Sequence, residues 1–173
     1  MPSLDLSSYV RSIADFPKPG ILFRDITPLL RSPEALEAAV QGLAEPYRDK
    51  RISNIVAIES RGFIFGSCVA RILGCGFVPI RKKGKLPWTT RAAAYKLEYG
   101  EAVVEMHVDA VEKGEKVALI DDVLATGGTA AAAVKLLELC GAVVVRAEFL
   151  MELGFLSGRA QLGGTPVASL VIY

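Results

Sequence analysis

Two adjacent acids and a loop of small residues form the clearest chemical pattern in this sequence. Asp121 and Asp122 follow an apolar run at 117–120, and an Ala-rich stretch at 130–139 comes shortly after them. The loop between consists mainly of Ala125, Thr126, Gly127, Gly128 and Thr129. This order is typical of a buried parallel strand whose carboxyl end opens into a ligand-binding turn before a helix.

The loop is suited to binding a phosphate group. Gly127 and Gly128 allow backbone N–H groups to approach an anion closely, and the neighbouring threonines add hydroxyl donors. Because the helix dipole contributes only about 0.3–1 kcal/mol, several donors must converge on the phosphate. No Lys-Ser/Thr pair follows the glycines, which excludes a P-loop. The plainer alternative is a helix cap with a tight turn.

The two acids restrict which phosphate ligand fits. A carboxylate beside a phosphate repels it unless a hydrogen-bond donor or a cation lies between them. Ribose hydroxyls and Mg²⁺ both meet this requirement. We therefore expect a ribose 5-phosphate, with its phosphate in the loop and its sugar diol, or an associated Mg²⁺, on Asp121 and Asp122.

A second candidate anion site follows another predicted strand. Its residues are Glu59, Ser60 and Arg61, with Arg81, Lys82 and Lys85 as further cations. Guanidinium groups and backbone amides suit phosphoryl oxygens. The alternatives are a Ser60 helix cap with an exposed Arg61, and a solvated basic loop. Two anion sites on one sheet edge fit a ligand with phosphate at one end and pyrophosphate at the other, as in phosphoribosyl pyrophosphate (PRPP).

Composition favours one compact domain. The chain has 173 residues, of which 51% are hydrophobic and 23% charged, and its net charge of +1 disfavours nucleic acid as a partner. No signal peptide is visible, and no apolar run approaches the roughly 18 residues of a membrane span. Cys68, Cys75 and Cys140 lack metal-site spacing, and His107 stands alone as an expected strand residue. We expect a cytoplasmic protein with reduced thiols and no membrane partner.

Alternating strand and helix patterns predict an α/β fold, with a mostly parallel central sheet and helices on both faces. The predicted helices cover 3–14, 33–47, 62–73 and 129–140. The predicted strands cover 54–58, 77–80, 101–106, 116–120, 142–150 and 167–172. Residues 82–100 show no clear periodicity, which is typical of a flexible hood over a ligand or of a surface loop without a role.

Several segments resemble the type I phosphoribosyltransferase family, in the same order and over most of the chain. They are 16–30, 59–63, 81–87, 95–100 and 117–129. The last alone indicates only the superfamily. The Phe-Pro-Lys-Pro-Gly and Leu-Glu-Tyr-Gly segments are similar to family members that use adenine. The resemblance implies a single domain over 1–173, with a hood at about 82–106 and an N-terminal base-binding segment at about 16–30.

The resemblance also implies an activity. Members with these motifs are Mg²⁺-dependent pentosyltransferases of purine salvage, which move the 5-phosphoribosyl group of PRPP to adenine and release AMP and pyrophosphate. The reaction passes through an oxocarbenium-like state. Mg²⁺, Arg61 and Lys82 would neutralise the departing pyrophosphate, while Asp121 and Asp122 hold the ribose. The resemblance further implies a non-proline cis peptide near Glu59–Ser60 and a homodimer.

The remaining expected roles concern the base. Phe23 offers a stacking face, and the backbone of Leu22 or Arg24 is placed to read the amidine edge of adenine. Glu98 is the candidate acid/base for the adenine proton, and Tyr99 would help close the hood. The alternatives are a core position for Phe23 and a solvated loop charge for Glu98.

Two other functions stay open on the sequence alone. One is a PRPP-sensing regulator that binds nucleic acid, although the chain lacks a basic face or an added DNA-binding domain. The other is a phosphoribosyltransferase for xanthine or orotate, which should lack the environment of residues 22–24.

Overall fold

The computed structural model describes residues 4–96 and 101–173. The strands are β1 (Arg11–Ala14), β2 (Leu22–Asp25), β3 (Asn54–Ile58), β4 (Gly76–Lys82), β5 (Thr90–Lys96), β6 (Glu101–His107), β7 (Lys116–Leu124), β8 (Val143–Glu152) and β9 (Val167–Ile172). The α-helices are α1 (Thr27–Arg31), α2 (Pro33–Ala44), α3 (Gly62–Leu73) and α4 (Gly128–Leu139). Short 3₁₀ helices lie at Leu6–Tyr9, Glu45–Tyr47, Gly154–Leu156 and Gly158–Leu162.

The central sheet is mostly parallel, as predicted. Within the described residues it has seven strands in the order β5-β6-β4-β3-β7-β8-β9. The pairs from β4 to β9 are parallel, whereas β6 pairs antiparallel with both β4 and β5. β1 and β2 form a separate antiparallel hairpin. The chain order reverses beside β3, and this is where ligands bind in such sheets.

Apolar cores lie on both faces of the sheet, which confirms the predicted layers. On one face, buried residues of α4 such as Ala133, Leu136 and Leu137 pack with Leu119 of β7 and Phe149 of β8. On the other face, α1, α2 and α3 bury Leu29, Leu43, Phe65 and Val69 against Ile55 and Ile120. Central strands of this kind are apolar on both sides because each side meets a helix layer.

Local sequence signals set several element boundaries. The Ser32 hydroxyl accepts the Ala35 N–H at 3.3 Å, and Pro33 begins α2, as the cap and N1 proline predict. Gly74 ends α3 with a φ of +66°. β3, α3 and β9 have the predicted bounds. α4 begins one residue earlier and ends one residue earlier than predicted.

The helix predicted for 3–14 is wrong in its described part. Residues 6–9 form only a 3₁₀ turn, and 11–14 form β1, paired with β2 in a hairpin. The turn between them contains the cis Phe16–Pro17 bond and Gly20 with a φ of +85°. Backbone pairing with a partner about ten residues away outweighs the weak local helix preference.

Among the other boundaries that differ from the prediction, two bear on the site. Residues 90–96 form β5, although 82–100 was expected to lack regular structure; the pairing of β5 with β6 supplies its hydrogen bonds. β7 does not stop at residue 120 but continues to Leu124, in register with β8 as far as Glu152. Asp121 and Asp122 therefore lie inside the strand, not after it.

Candidate active site

A cavity of about 510 Å³ opens at the carboxyl ends of β3 and β7. Most of the residues predicted for the site line it. They are Glu59, Ser60, Arg61, Lys82, Asp121, Asp122, Ala125, Thr126, Gly127, Gly128 and Thr129. The phosphate loop, the acid pair and the second anion loop thus share one continuous space.

The phosphate loop, residues 125–129, is held by close backbone packing. Gly127 precedes α4 with a φ of +84°, and its carbonyl accepts the Ala131 N–H at 2.8 Å. A Cβ at Gly127 would lie 2.2 Å from the carbonyl oxygen of Gly158. Both the left-handed conformation and the close approach require glycine there. Sequence reasoning did not identify Gly158, because nothing local shows that residues 127 and 158 meet.

The acid pair is electrostatically strained. Asp122 is buried, and its Oδ2 lies 2.7 Å from Arg61 Nε without an aligned hydrogen bond. The Asp122 N–H donates to Asp121 Oδ1 at 2.9 Å. Burial, followed by the neighbouring Asp122 carboxylate, raises the pKa of Asp121 well above its usual range. Burial also raises the pKa of Asp122, while Arg61 opposes that rise. Hydroxyl donors or a cation arriving at this pair would relieve the repulsion.

The start of α3 lies directly against Asp121. A Cβ at Gly62 would come within 2.6 Å of Asp121 Oδ1, so a larger residue there would have to displace the carboxylate. The positive end of the helix therefore lies beside the partly buried Asp121 carboxylate. Gly62 lies in the matched segment 59–63, but the sequence alone did not show its role.

The second anion loop has the backbone that the family resemblance implies. The Glu59–Ser60 peptide is cis. The Ser60 side chain does not cap α3; instead its carbonyl accepts the Phe63 N–H at 3.3 Å. Arg81 Nε donates to Glu59 Oε2 at 2.6 Å, and Arg81 Nη1 donates to the Lys85 carbonyl at 3.0 Å. Arg81 thus links the second anion loop to the basic turn at 82–85. Neither Arg81 nor Lys85 lines the cavity.

The predicted base segment lies beside the cavity without lining it. The Phe23 ring centroid is 5.7 Å from the Arg61 guanidinium carbon, and Phe16 packs edge-on against Phe23 at 5.2 Å. Arg24 stacks over the Tyr173 ring at 3.9 Å and donates to the Ser12 hydroxyl. Leu22 is half-exposed. The contact between Arg24 and Tyr173 could not be predicted from the sequence, because residues 24 and 173 are far apart along the chain.

The predicted hood begins as the β5–β6 hairpin. Tyr95 of β5 lines the cavity and was not among the predicted site residues, although its aromatic character suits a ligand cover. Glu105 of β6 accepts the Gly84 N–H at 2.8 Å and the Thr90 hydroxyl at 3.2 Å. Arg91 Nη1 donates to the carbonyl of Leu139, the last residue of α4, at 2.7 Å. Glu98 and Tyr99 lie outside the described residues, and their roles stay predictions.

The donor set fits a Mg²⁺ that arrives with its substrate. No cluster of three or more His, Cys, Asp or Glu side chains suited to a metal occurs in residues 4–96 and 101–173. The acids on the cavity are Glu59, Asp121 and Asp122, and one buried oxygen of Asp122 has no aligned hydrogen-bond partner. Mg²⁺ commonly takes one or two carboxylates and completes its shell with phosphate oxygens and water.

Comparisons with known proteins decide the family. The chain matches the phosphoribosyl transferase domain over residues 29–154. An adenine phosphoribosyltransferase of Agrobacterium fabrum is 56% identical over 169 residues, which cover 96% of this chain and 94% of the relative. The chain belongs to the adenine phosphoribosyltransferase family.

Solved structures of family members have the same fold. The adenine phosphoribosyltransferase of Rhodothermus marinus superposes with a TM-score of 0.93 at 50% identity, covering 97% of this chain and 96% of that one. The Saccharomyces cerevisiae enzyme, in complex with adenine and an imino-altritol bisphosphate, gives a TM-score of 0.90 at 41% identity, covering 95% and 96%. The predicted fold and family are confirmed. Among the described residues, no helix is both long and apolar enough to cross a membrane.

Proposed function

We propose that this chain transfers the 5-phosphoribosyl group of Mg²⁺-bound PRPP to adenine, giving AMP and pyrophosphate in purine salvage. One observation carries the proposal: a single cavity joins the phosphate loop, the Asp121–Asp122 acid pair and a second anion-binding loop that carries positive charge. Relatives that share about half of the sequence and are named for this activity support it.

The cavity provides a binding place for each part of PRPP. The 5′-phosphate binds the amides and hydroxyls of the phosphate loop at the start of α4. The ribose diol donates to Asp121 and Asp122, which relieves their mutual repulsion. The pyrophosphate faces the 59–62 loop, where Arg61 and Lys82 supply positive charge. Arg81 and Lys85 lie outside the cavity lining and act indirectly, by holding the shape of the basic turn.

The chemical step breaks the bond between ribose C1 and the pyrophosphate oxygen and forms the bond from C1 to adenine N9. Arg61 and Lys82 stabilise the negative charge that develops on the leaving group, while the acid pair faces the positive charge on the sugar. Mg²⁺, when bound, adds Lewis-acid neutralisation of the pyrophosphate, with Asp121 and Asp122 as its candidate protein ligands. Glu98 takes the proton that adenine N9 loses, and Tyr99 helps to cover the base.

In this proposal residues 22–24 recognise adenine, and Phe23 of this segment lies beside Arg61. Phe23 stacks on the base, and backbone groups of Leu22 and Arg24 pair with its amidine edge. The 5.7 Å approach of Phe23 to Arg61 supports this placement, since it brings the segment to the cavity rim. A 6-oxopurine would mispair at this edge, and each unmatched buried group costs about 1–3 kcal/mol.

The test is a base panel. Purified protein is incubated with Mg²⁺, PRPP and, separately, adenine, hypoxanthine, xanthine, guanine or orotate, and the nucleotide products are separated by chromatography. We expect AMP alone. Turnover only with xanthine or orotate would replace the substrate assignment. PRPP binding without turnover of any base would favour the regulator.

The remaining expectations concern the whole protein. We propose that residues 1–173 form one domain, that the protein works in the cytoplasm, and that it is a homodimer. The family resemblance supports the single domain and the homodimer, and the cysteine spacing that favours reduced thiols supports the cytoplasmic assignment. A relative from Desulfitobacterium hafniense aligns over its full length with this whole chain. Light scattering after size exclusion measures the mass of the assembly, and a monomer would contradict the dimer.

A further inference from the structure

A short segment outside the cavity backs the phosphate loop. The 3₁₀ helix Gly158–Leu162 lies so close that a Cβ at Gly158 would be 2.2 Å from the Ala125 carbonyl oxygen and 3.1 Å from the Gly127 nitrogen. In the reverse direction, a Cβ at Gly127 would be 2.2 Å from the Gly158 carbonyl oxygen. The two backbones are therefore in direct contact, and Gly158 itself does not line the cavity. A displacement of this segment toward the loop would therefore have to move the loop, and a displacement away from it would remove this contact.

A dense set of hydrogen bonds fixes that segment. Arg159 Nε lies 2.7 and 2.9 Å from the two carboxylate oxygens of Glu152, and Nη2 donates to Oε2 at 2.6 Å. Arg159 Nη1 donates to the Val167 carbonyl at 2.9 Å, and the Ser169 hydroxyl donates to Glu152 at 2.8 Å. We call these four residues, Glu152, Arg159, Val167 and Ser169, the Arg159 clasp. Charge-assisted forks of this kind define orientation as well as energy.

The clasp and the start of the phosphate loop are both joined to the end of β8. Glu152 is the last residue of β8 and pairs in register with Leu124, the last residue of β7. The next residue, Leu153, donates its N–H to the Leu124 carbonyl at 2.9 Å. The phosphate loop begins directly after Leu124. The entry to the loop and the segment behind it are thus both tied to the end of β8.

We propose that the Arg159 clasp positions the phosphate loop for the 5′-phosphate of the substrate. Arg159 and Glu152 line no part of the cavity and act through Gly158 on the backbone amides of residues 125–129. They are positioning residues. This inference rests on the proposed function, since it assigns the 5′-phosphate to that loop. A purely stabilising clasp would change the free energy of unfolding without a preference among ligands.

The test compares ligands with and without the 5′-phosphate. Arg159→Lys keeps the charge but loses the fork, so the backing segment can shift. We expect the dissociation constants of AMP and ribose 5-phosphate, measured by calorimetry, to rise about 10- to 100-fold, because misplacements near 1 Å have effects of this size. The KM for PRPP should rise in parallel. The dissociation constant of pyrophosphate should change less than twofold, and kcat at saturating PRPP should stay within about threefold of the wild-type value.

Arg146→Lys is the matched control. Arg146 pairs with Glu148, a second buried glutamate of β8, at 2.5 Å, and neither residue lines the cavity. The Arg146→Lys variant should have a lower melting temperature, without a selective loss of AMP affinity. Ser169→Ala removes one hydrogen bond to Glu152 and serves if Arg159→Lys fails to fold; the same ligand selectivity is expected, at about threefold.

The outcomes separate the two proposals. Wild-type protein that binds neither AMP nor PRPP overturns the proposed function. Wild-type binding together with unchanged or uniformly scaled ligand affinities in the clasp variants overturns the positioning role alone. Selective loss of the ligands that carry the 5′-phosphate supports it.

Discussion

The loop at 125–129 and the loop at 59–62 both receive phosphoryl groups in the proposed reaction, yet different forces hold them. The phosphate loop rests on backbone-to-backbone contact with Gly158, which leaves no space for a Cβ on either side. The 59–62 loop is held through charged side chains, with Glu59 bound to Arg81 and Arg61 paired with Asp122. We call 125–129 the shape-dependent loop, because its direct contact with Gly158 is between backbones. We call 59–62 the charge-dependent loop, because its own side chains form ion pairs, although Gly62 is also closely packed.

The difference matches what each loop has to do. The 5′-phosphate is present in both PRPP and AMP, so a site with fixed shape serves substrate and product alike. The pyrophosphate must be bound, stabilised as it departs and then released. Ion pairs among partly exposed groups are weaker, are screened by salt and exchange partners at lower cost. The following predictions test this contrast, beginning with the largest effect.

Glu98 has the proposed acid/base role in the transfer to adenine. Glu98→Gln should lower kcat by about 10²- to 10⁴-fold, because a positioned acid/base contributes that much. Its effect on the PRPP dissociation constant should be small. Glu101→Gln, an exposed carboxylate of β6, is the control. Steady-state kinetics with calorimetry checks both quantities, and an unchanged kcat would remove Glu98 from the mechanism.

The shape-dependent loop should not tolerate a methyl group. Gly127→Ala combines a left-handed φ of +84° with a Cβ contact of 2.2 Å. Backbone strain of about 1–3 kcal/mol corresponds to a rise of roughly 5- to 150-fold in the AMP dissociation constant. Gly114→Ala has the same φ but open space around its Cβ, and it lies away from the cavity. AMP titrations that give equal affinities for both variants would show that close packing does not shape the loop.

The charge-dependent loop should respond more mildly. Arg81→Lys keeps the charge but loses the fork that joins Glu59 to the Lys85 carbonyl. Because the Arg81 side chain is 35% exposed, we expect the binding free energy of pyrophosphate to weaken by only about 0.5–1 kcal/mol, which is a two- to fivefold loss of affinity. AMP affinity should not change. Arg48→Lys alters a comparable ion pair outside the site. A similar loss of AMP and pyrophosphate affinity would mean that the two loops are not independent.

The smallest effect concerns pH. Because its pKa is raised, Asp121 contributes most to the free energy of unfolding below the usual carboxyl pKa of about 4, and this contribution is lost as pH rises through the raised value. Asp121→Asn should therefore raise the melting temperature by about 2–4 °C at pH 7.5 and remove this part of its decline with rising pH. Asp109→Asn, at an exposed position, is the control. A lower melting temperature for Asp121→Asn would indicate that Arg61 and the start of α3 outweigh the repulsion.

Features encoded by neighbouring residues could be predicted from the sequence. β3, α3 and β9 follow apolar patterns and end signals within a few residues, and their bounds match. The phosphate loop was recognisable because its glycines, hydroxyls and following helix are contiguous. All five residues from Ala125 to Thr129 line the cavity.

Features that depend on distant pairing could not be predicted in this way. β1 and β5 exist because β2 and β6 lie beside them, and their own residues do not favour strands strongly. Gly158 and Tyr173 meet the phosphate loop and the base segment only after the sheet has formed. Their partners are 31 and 149 positions away in sequence, a separation over which local patterns carry no signal.

α4 has a further consequence through its two ends. In the proposed reaction its first turn would receive the substrate phosphate, and its last carbonyl accepts a hydrogen bond from Arg91, so an anion and a cation would each meet the end that the helix dipole favours. α4 has 12 residues and is about 18 Å long, so it holds Arg91 of β5 at a set distance from the start of the helix. In the proposed reaction, a hood movement that brings Glu98 over adenine would therefore take place beyond Arg91.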